Sequence, residues 1–212
     1  MKGLMRLKLP FVSLILFLPI VSWSSICTFH TWDWDTINKR AVNHRQVSKP
    51  KAKLLPAERD RQSPCTVCEE DQVWIQVDGL PKVRVCRHFG GEVRQALEGI
   101  RNSGYAVHKL VGYRVGKTKG KINANGYRTQ YSHHSFGTAI DVNSKANGLY
   151  DNCLVFGSQC RLIRGGAWSL ANPSSIQKGS AVYESFREIG WRWGGELEGR
   201  QKDFMHFSLS GD

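Results

Sequence analysis

The chain has 212 residues, of which 41% are hydrophobic and 10% aromatic. That supports one medium domain with room for a leader or linker, and it excludes a wholly disordered or fibrous chain. Thirty Lys and Arg against 18 Asp and Glu give a net charge of +12, so polyanions such as nucleic acid, anionic wall polymers or lipid head groups are candidate partners, among which charge alone does not choose.

The N-terminus reads as a signal peptide over residues 1–24. Lys2, Arg6 and Lys8 form a positive start, Leu9 to Val21 is nearly all apolar, and Ser22-Trp23-Ser24 places small residues two apart. An apolar run of about 13 residues falls short of the roughly 20 needed to cross a bilayer. The expectation is export, cleavage near Ser24 and no stable membrane span afterwards; an uncleaved anchor is the alternative. All six cysteines follow that point, and an even number in an exported chain suggests disulfides. Cys153 and Cys160 bracket a short loop and are the expected pair. Cys65 and Cys68 with Cys86 and His88 form the competing possibility of a structural zinc site.

Residues 25–70 read as a basic linker or N-terminal arm. They are polar and basic from Thr36 to Ser63, with Pro50 and Pro56 and no apolar period. His30, Trp32 and Trp34 stand as an aromatic cluster before that stretch. A folded domain is expected over 71–212. Val73, Ile75 and Val77 alternate with polar residues, Asp78-Gly79 signals a turn, and Val83 and Val85 suggest the return strand of a hairpin. Glu92 to Asn102 places Val93, Ala96, Leu97 and Ile100 on one helical face. Tyr105 to Tyr113 is β-like, Gly116 to Gln130 is a Gly/Lys/Asn-rich loop, and Thr138 to Val142 is a short strand. Asn143 to Pro173 is irregular, Ala181 to Ile189 is a second helix, and Asp203 to Leu209 is a closing strand. Strands and helices without regular alternation predict an α+β fold, a small antiparallel sheet with flanking helices and long loops.

The chemistry concentrates in Ser132-His133-His134-Ser135-Phe136-Gly137-Thr138-Ala139-Ile140-Asp141 and in Asp203-Phe204-Met205-His206-Phe207. Buried ionisable groups in apolar strands are costly unless paired or metal-bound. His134, Asp141 and His206 match the donor set of a catalytic zinc, three protein ligands with one position left for water. Asp203 is then the candidate general base. Ser132 is expected to hydrogen-bond locally or to touch substrate rather than to act as a nucleophile, because no Ser-x-x-Lys or Gly-x-Ser-x-Gly element accompanies it. His133, beside His134, is not expected as a ligand and is read as a surface residue or a substrate contact, whereas His88 and His108 default to structural roles. Asp203 and His206, three apart, fall on opposite faces of a flat strand, so a bulge or strong twist is required between them.

The pattern Ser-x-His-x-x-Gly-x-Ala-x-Asp of Ser132, His134, Gly137, Ala139 and Asp141 resembles the signature of the zinc D-Ala-D-Ala peptidase family. That family includes D-alanyl-D-alanine carboxypeptidases, dipeptidases and L-alanyl-D-glutamate endopeptidases. Asp203, His206 and Phe207 resemble its second signature, and Trp193-Gly194-Gly195 its approach to that strand. The resemblance covers roughly Val83 to Leu209 and implies the Hedgehog/DD-peptidase fold. It also implies Zn2+ on His134, Asp141 and His206, Asp203 as base, and an upstream Arg that binds substrate and stabilises the developing oxyanion. Arg114 and Arg128 both follow a Tyr; Arg114 is preferred for that role, with Arg128 left as a substrate-binding candidate. Asp at the base position resembles the endopeptidase branch, with a D-alanyl-D-alanine carboxypeptidase as the alternative. The implied partner is a peptidoglycan peptide, with anionic wall polymers as a possible second. A non-catalytic zinc-containing wall-binding module is a reading of another class. A nucleic-acid binder rests on charge alone, without a recognisable motif, and is not expected.

Overall fold

The computed structural model describes residues 25–212; the leader expected over residues 1–24 lies outside them. The first element is a long antiparallel hairpin of β1 (Ile26–Asp35) and β2 (Arg40–Pro50). The stretch read as a basic linker or N-terminal arm thus carries regular strand structure where no apolar period announced it. In β1, Cys27, Phe29 and Thr31 point inward while Thr28, His30 and Trp32 point outward, a period-2 pattern. β2 is mostly polar and exposed; Val47 packs on the cysteine-rich core, and the rest is held by its pairing with β1.

Beyond it, β3 (Gln72–Ile75) and β4 (Val83–Cys86) form the expected hairpin. α1 (Gly90–Asn102) buries Val93, Ala96, Leu97 and Ile100. Only β5 (Leu110–Val111) is strand within the β-like 105–113 segment. The expected loop 116–130 is instead β6 (Val115–Ile122) paired with β7 (Arg128–Tyr131). β6 also runs parallel to β1, completing a sheet ordered β2-β1-β6-β7. Its glycines and lysines have weak strand preference, and neighbours on both sides override it.

β8 (Ala139–Val142) leads into the segment read as irregular, which contains two short strands, β9 (Leu149–Asp151) and β10 (Arg161–Arg164). α2 (Ala181–Glu188) is capped by Ser180, whose side chain accepts from the Tyr183 amide. β11 (Arg192–Trp193), β12 (Lys202–Asp203) and β13 (His206–Ser208) close the chain. The expected single strand Asp203–Leu209 is thus broken. β12 belongs to a sheet ordered β10-β9-β12, and β13 to one ordered β11-β13-β8-β5. The mixture of two helices and small sheets is an α+β fold.

The main core gathers α1, α2 and the β11-β13-β8-β5 sheet around Leu97, Ile100, Ile140, Phe186, Trp191 and Phe207. A smaller core joins the N-terminal hairpin to this body and is built around cysteines. Cys27–Cys68 and Cys65–Cys86 are disulfides there, and Cys153–Cys160 closes its expected short loop. With every one of those sulfurs bonded to another, the alternative zinc site on Cys65, Cys68 and Cys86 is ruled out. Among the described residues, no helix is long and apolar enough to cross a membrane.

Candidate metal centre

Three elements carry the central group. His134 sits in a one-turn helix, His133–Phe136, that ends at Gly137 with φ of +70°. A Cβ at Gly137 meets Gln72 Oε1 at 2.1 Å and the Cys86 amide nitrogen at 2.4 Å, so only glycine fits both the left-handed turn and the close packing. The Cys86 amide donates to the Gly137 carbonyl at 2.9 Å, anchoring the turn to a disulfide-bonded residue. The chain then enters β8 and presents Asp141. His206 in β13 is the direct antiparallel partner of Asp141.

The relation of Asp203 to His206 follows from the break in the strand. The chain leaves one sheet at Asp203, turns through Phe204 and Met205, and enters the other at His206. Both side chains therefore line one cleft, although a flat strand forbids it. Phe204 stacks on Trp168 with ring centroids 4.4 Å apart, and Trp193 Nε1 donates to the Phe204 carbonyl at 2.9 Å. A Cβ on Gly194 reaches the Asp203 carbonyl at 2.5 Å, which explains the small residue after Trp193.

Ligand atoms of His134, Asp141 and His206 lie within 4.8 Å of one another, and the three residues are 2%, 8% and 5% exposed. His134 Nε2 and His206 Nδ1 each lie 3.0 Å from the same oxygen, Asp141 Oδ1. The other nitrogens face backbone oxygens: His134 Nδ1 is 2.8 Å from Gly112 O, and His206 Nε2 is 3.1 Å from Asp212 O. A carbonyl only accepts, so those nitrogens carry the hydrogens. Two imidazole lone pairs are thereby aimed at one carboxylate oxygen. That arrangement repels itself unless a proton or a cation stands between, and it is the arrangement a divalent ion satisfies. The group can hold a metal.

The two rings differ in titration behaviour. Burial pushes His134 down to about 4, so it is a neutral donor at neutral pH. Burial also opposes ionisation of Asp141, but the two histidines outweigh it and hold the carboxyl well below its usual range. His206 is likewise penalised by burial, yet its hydrogen bond to Asp141 and the negative charges nearby raise it. Asp203 stands apart from the ligand cluster, and burial pushes it up to about 6.

Asp203 Oδ1, Arg114 Nε and Nη1, and Ser132 Oγ are all buried without a protein partner. They account for half of the eight such side-chain atoms among the described residues, and all three residues line the cleft, of about 530 Å3, that holds the metal group. Buried polar atoms demand partners, so their concentration here marks a place built for a polar ligand. Arg114 Nη2 lies 3.7 Å from Asp141 Oδ2. Arg128 lines the same cleft but spends its Nη1 on the Gly120 carbonyl at 2.7 Å. His133 does not join the metal group; its Nε2 meets Ser210 Oγ at 2.9 Å.

The cleft also has residues that the sequence did not assign to the site: Trp34 and Lys39 from the N-terminal hairpin, and Arg161 and Arg164 from β10. Trp32 and Trp34 pack edge to face, with centroids 6.3 Å apart, on the outward side of β1. Their alternation with Cys27, Phe29 and Thr31 was the available signal.

Residues 125–209 match the family model described as D-alanyl-D-alanine carboxypeptidase. The family resemblance is thereby shown for that stretch, which contains both motifs and leaves Arg114 and the N-terminal hairpin outside. The match supports a peptidoglycan-acting metallopeptidase. Comparison with curated proteins and with solved structures returned no match.

Proposed function

We propose that the chain is an exported zinc peptidase with the Hedgehog/DD-peptidase fold that hydrolyses peptide bonds in peptidoglycan stem peptides, in the manner of an L-alanyl-D-glutamate endopeptidase. One observation carries the reading: two imidazoles and a carboxylate converge on one point, beside a separate carboxyl with one buried, unpartnered oxygen and an unsatisfied guanidinium. Three disulfides support export into an oxidising compartment.

In this reading His134 Nε2, Asp141 and His206 Nδ1 would hold the zinc, which when bound would supply a Lewis acid and lower the pKa of water towards neutral pH. Gly112 and Asp212 fix the two rings by accepting from their far nitrogens. Asp203, poised at about 6, takes a proton from the attacking water and hands it to the leaving amine. Arg114 directs its free donors at the peptide carbonyl oxygen as charge develops there. Ser132 Oγ and Arg128 bind the peptide at the cleft wall.

Asp rather than Glu at position 203 resembles the endopeptidase branch more than the D-Ala-D-Ala dipeptidase branch, and a D-alanyl-D-alanine carboxypeptidase is the alternative. The description of the matched family favours the carboxypeptidase. Digestion of purified peptidoglycan followed by mass analysis separates them: cleavage between L-Ala and D-Glu supports the first, and release of terminal D-Ala alone overturns it. A non-catalytic module leaves Asp203 and Arg114 without a task, so absence of any hydrolysis by zinc-loaded protein is the outcome that favours it.

A further inference from the structure

The cleft extends past the metal group onto a wall of the β10-β9-β12 sheet. In that sheet Leu149 is the register partner of Arg164 on one side and of Asp203 on the other. Residues in register project from the same face, and both Arg164 and Asp203 line the cleft. Adjacent strands lie about 4.8 Å apart, so Arg164 stands roughly 10 Å of backbone from Asp203.

Of the other cations of the cleft, Arg114 keeps two free donors beside the metal group, Lys39 belongs to the N-terminal hairpin, and Arg161, Lys119 and Arg128 have partners. Arg161 grips Asp151 through two hydrogen bonds of 2.8 and 2.5 Å. Arg114 approaches Asp141, Lys119 approaches Asp212 at 4.0 Å, and Arg128 serves Gly120. Arg164 has no side-chain hydrogen bond and no carboxylate partner among the described residues. Arg164 is exposed to solvent at the cleft, which leaves its guanidinium accessible to a ligand, and Leu149 and Ile163 also line that wall. Burial is the main influence on Arg114 and Asp203, but the Arg164 charge also acts on both, opposing charge on the first and favouring the carboxylate on the second.

We propose that Arg164 is a specificity determinant: it binds a second carboxylate of the substrate, next to the bond being cut, and so selects stem peptides whose D-glutamyl α-carboxyl is free over those in which it is amidated. This rests on the peptidase reading above. A guanidinium forks onto a carboxylate, whereas a neutral amide offers one acceptor and no charge.

The test uses two synthetic stem tetrapeptides that differ only in that carboxyl, free or amidated. Their affinities for zinc-loaded Asp203→Asn protein are measured by calorimetry, so that no turnover intrudes. The free acid binds about tenfold more tightly. Adding Arg164→Gln removes the preference, Arg164→Lys keeps part of it, and Arg101→Gln on the exposed side of α1 leaves it intact. Equal affinities for the two peptides, or a preference that survives Arg164→Gln, overturn the proposal. Failure of the peptidase reading registers separately, as no cleavage of either peptide by zinc-loaded wild type, while the affinity ratio still decides the role of Arg164.

Discussion

Asp141 and His206 stand directly opposite each other on adjacent antiparallel strands, with His206 Nδ1 3.0 Å from Asp141 Oδ1. The register of β8 on β13 therefore sets the distance between two proposed ligands, and a slip by one residue turns each to the other face. The site is as stable as that pairing, which lies within the main core beside Ile140 and Phe207.

Asp203 is proposed to move protons and not to hold the metal. Asp203→Asn lowers kcat by about 10²- to 10⁴-fold with zinc content unchanged. The comparison is made by metal analysis and steady-state kinetics on the same preparation. Loss of metal together with activity contradicts the assigned role.

Arg114 and Arg128 separate by what they already bind. Two of the Arg114 donors are buried and free, whereas Arg128 holds the Gly120 carbonyl. Arg114→Lys lowers kcat by about 10²-fold, the order seen on loss of an oxyanion donor. Arg128→Gln acts mainly on KM. A larger kcat effect at Arg128 reverses the two assignments.

The position of Asp203 near 6 has two consequences of opposite sign. The base works only as carboxylate, so kcat/KM falls as pH drops through about 6, or lower where a bound cation draws the midpoint down. An acid-limb midpoint above 7 contradicts this. In the metal-free protein the raised carboxyl costs folding stability. The cost is absent below the ordinary 3.8, where both states are protonated, and is fully present above about 6. Metal-free Asp203→Asn is thus more stable than wild type at pH 7, by at most roughly 3 kcal/mol, and the difference vanishes towards pH 4 in thermal melts.

Cys65–Cys86 supports the metal turn through the Cys86 amide and the Gly137 carbonyl. Replacing both cysteines with Ser lowers Tm by about 6–12 °C, from roughly 3 kcal/mol of lost cross-link. It also weakens zinc affinity about tenfold. The same change at Cys153 and Cys160, remote from that turn, spares zinc affinity. Equal effects on affinity from the two pairs refute the anchoring role.

The parts legible in the sequence were those with strong local chemistry. His134, Gly137 and Asp141 lie within eight residues, and α1 and α2 carry clear apolar faces. The N-terminal hairpin was not legible, because β2 exposes most of its residues and its partner supplies the order. β6 hid behind Gly116, Lys117, Gly120 and Lys121, which read as loop until β1 and β7 flank them. Asp203 and His206 looked incompatible because one strand was assumed where two sheets meet. Arg164 and Trp34 reach the cleft only through long-range pairing, for which no local motif exists.

Metal content of the purified protein tests the convergence of His134, Asp141 and His206 most directly. Wild type carries one zinc per chain by elemental analysis, and His206→Ala and Asp141→Ala each reduce it to a small fraction while the circular dichroism of the fold persists. A wild type that binds no divalent ion at micromolar concentration, or an Asp141→Ala protein that retains a full equivalent, contradicts the account.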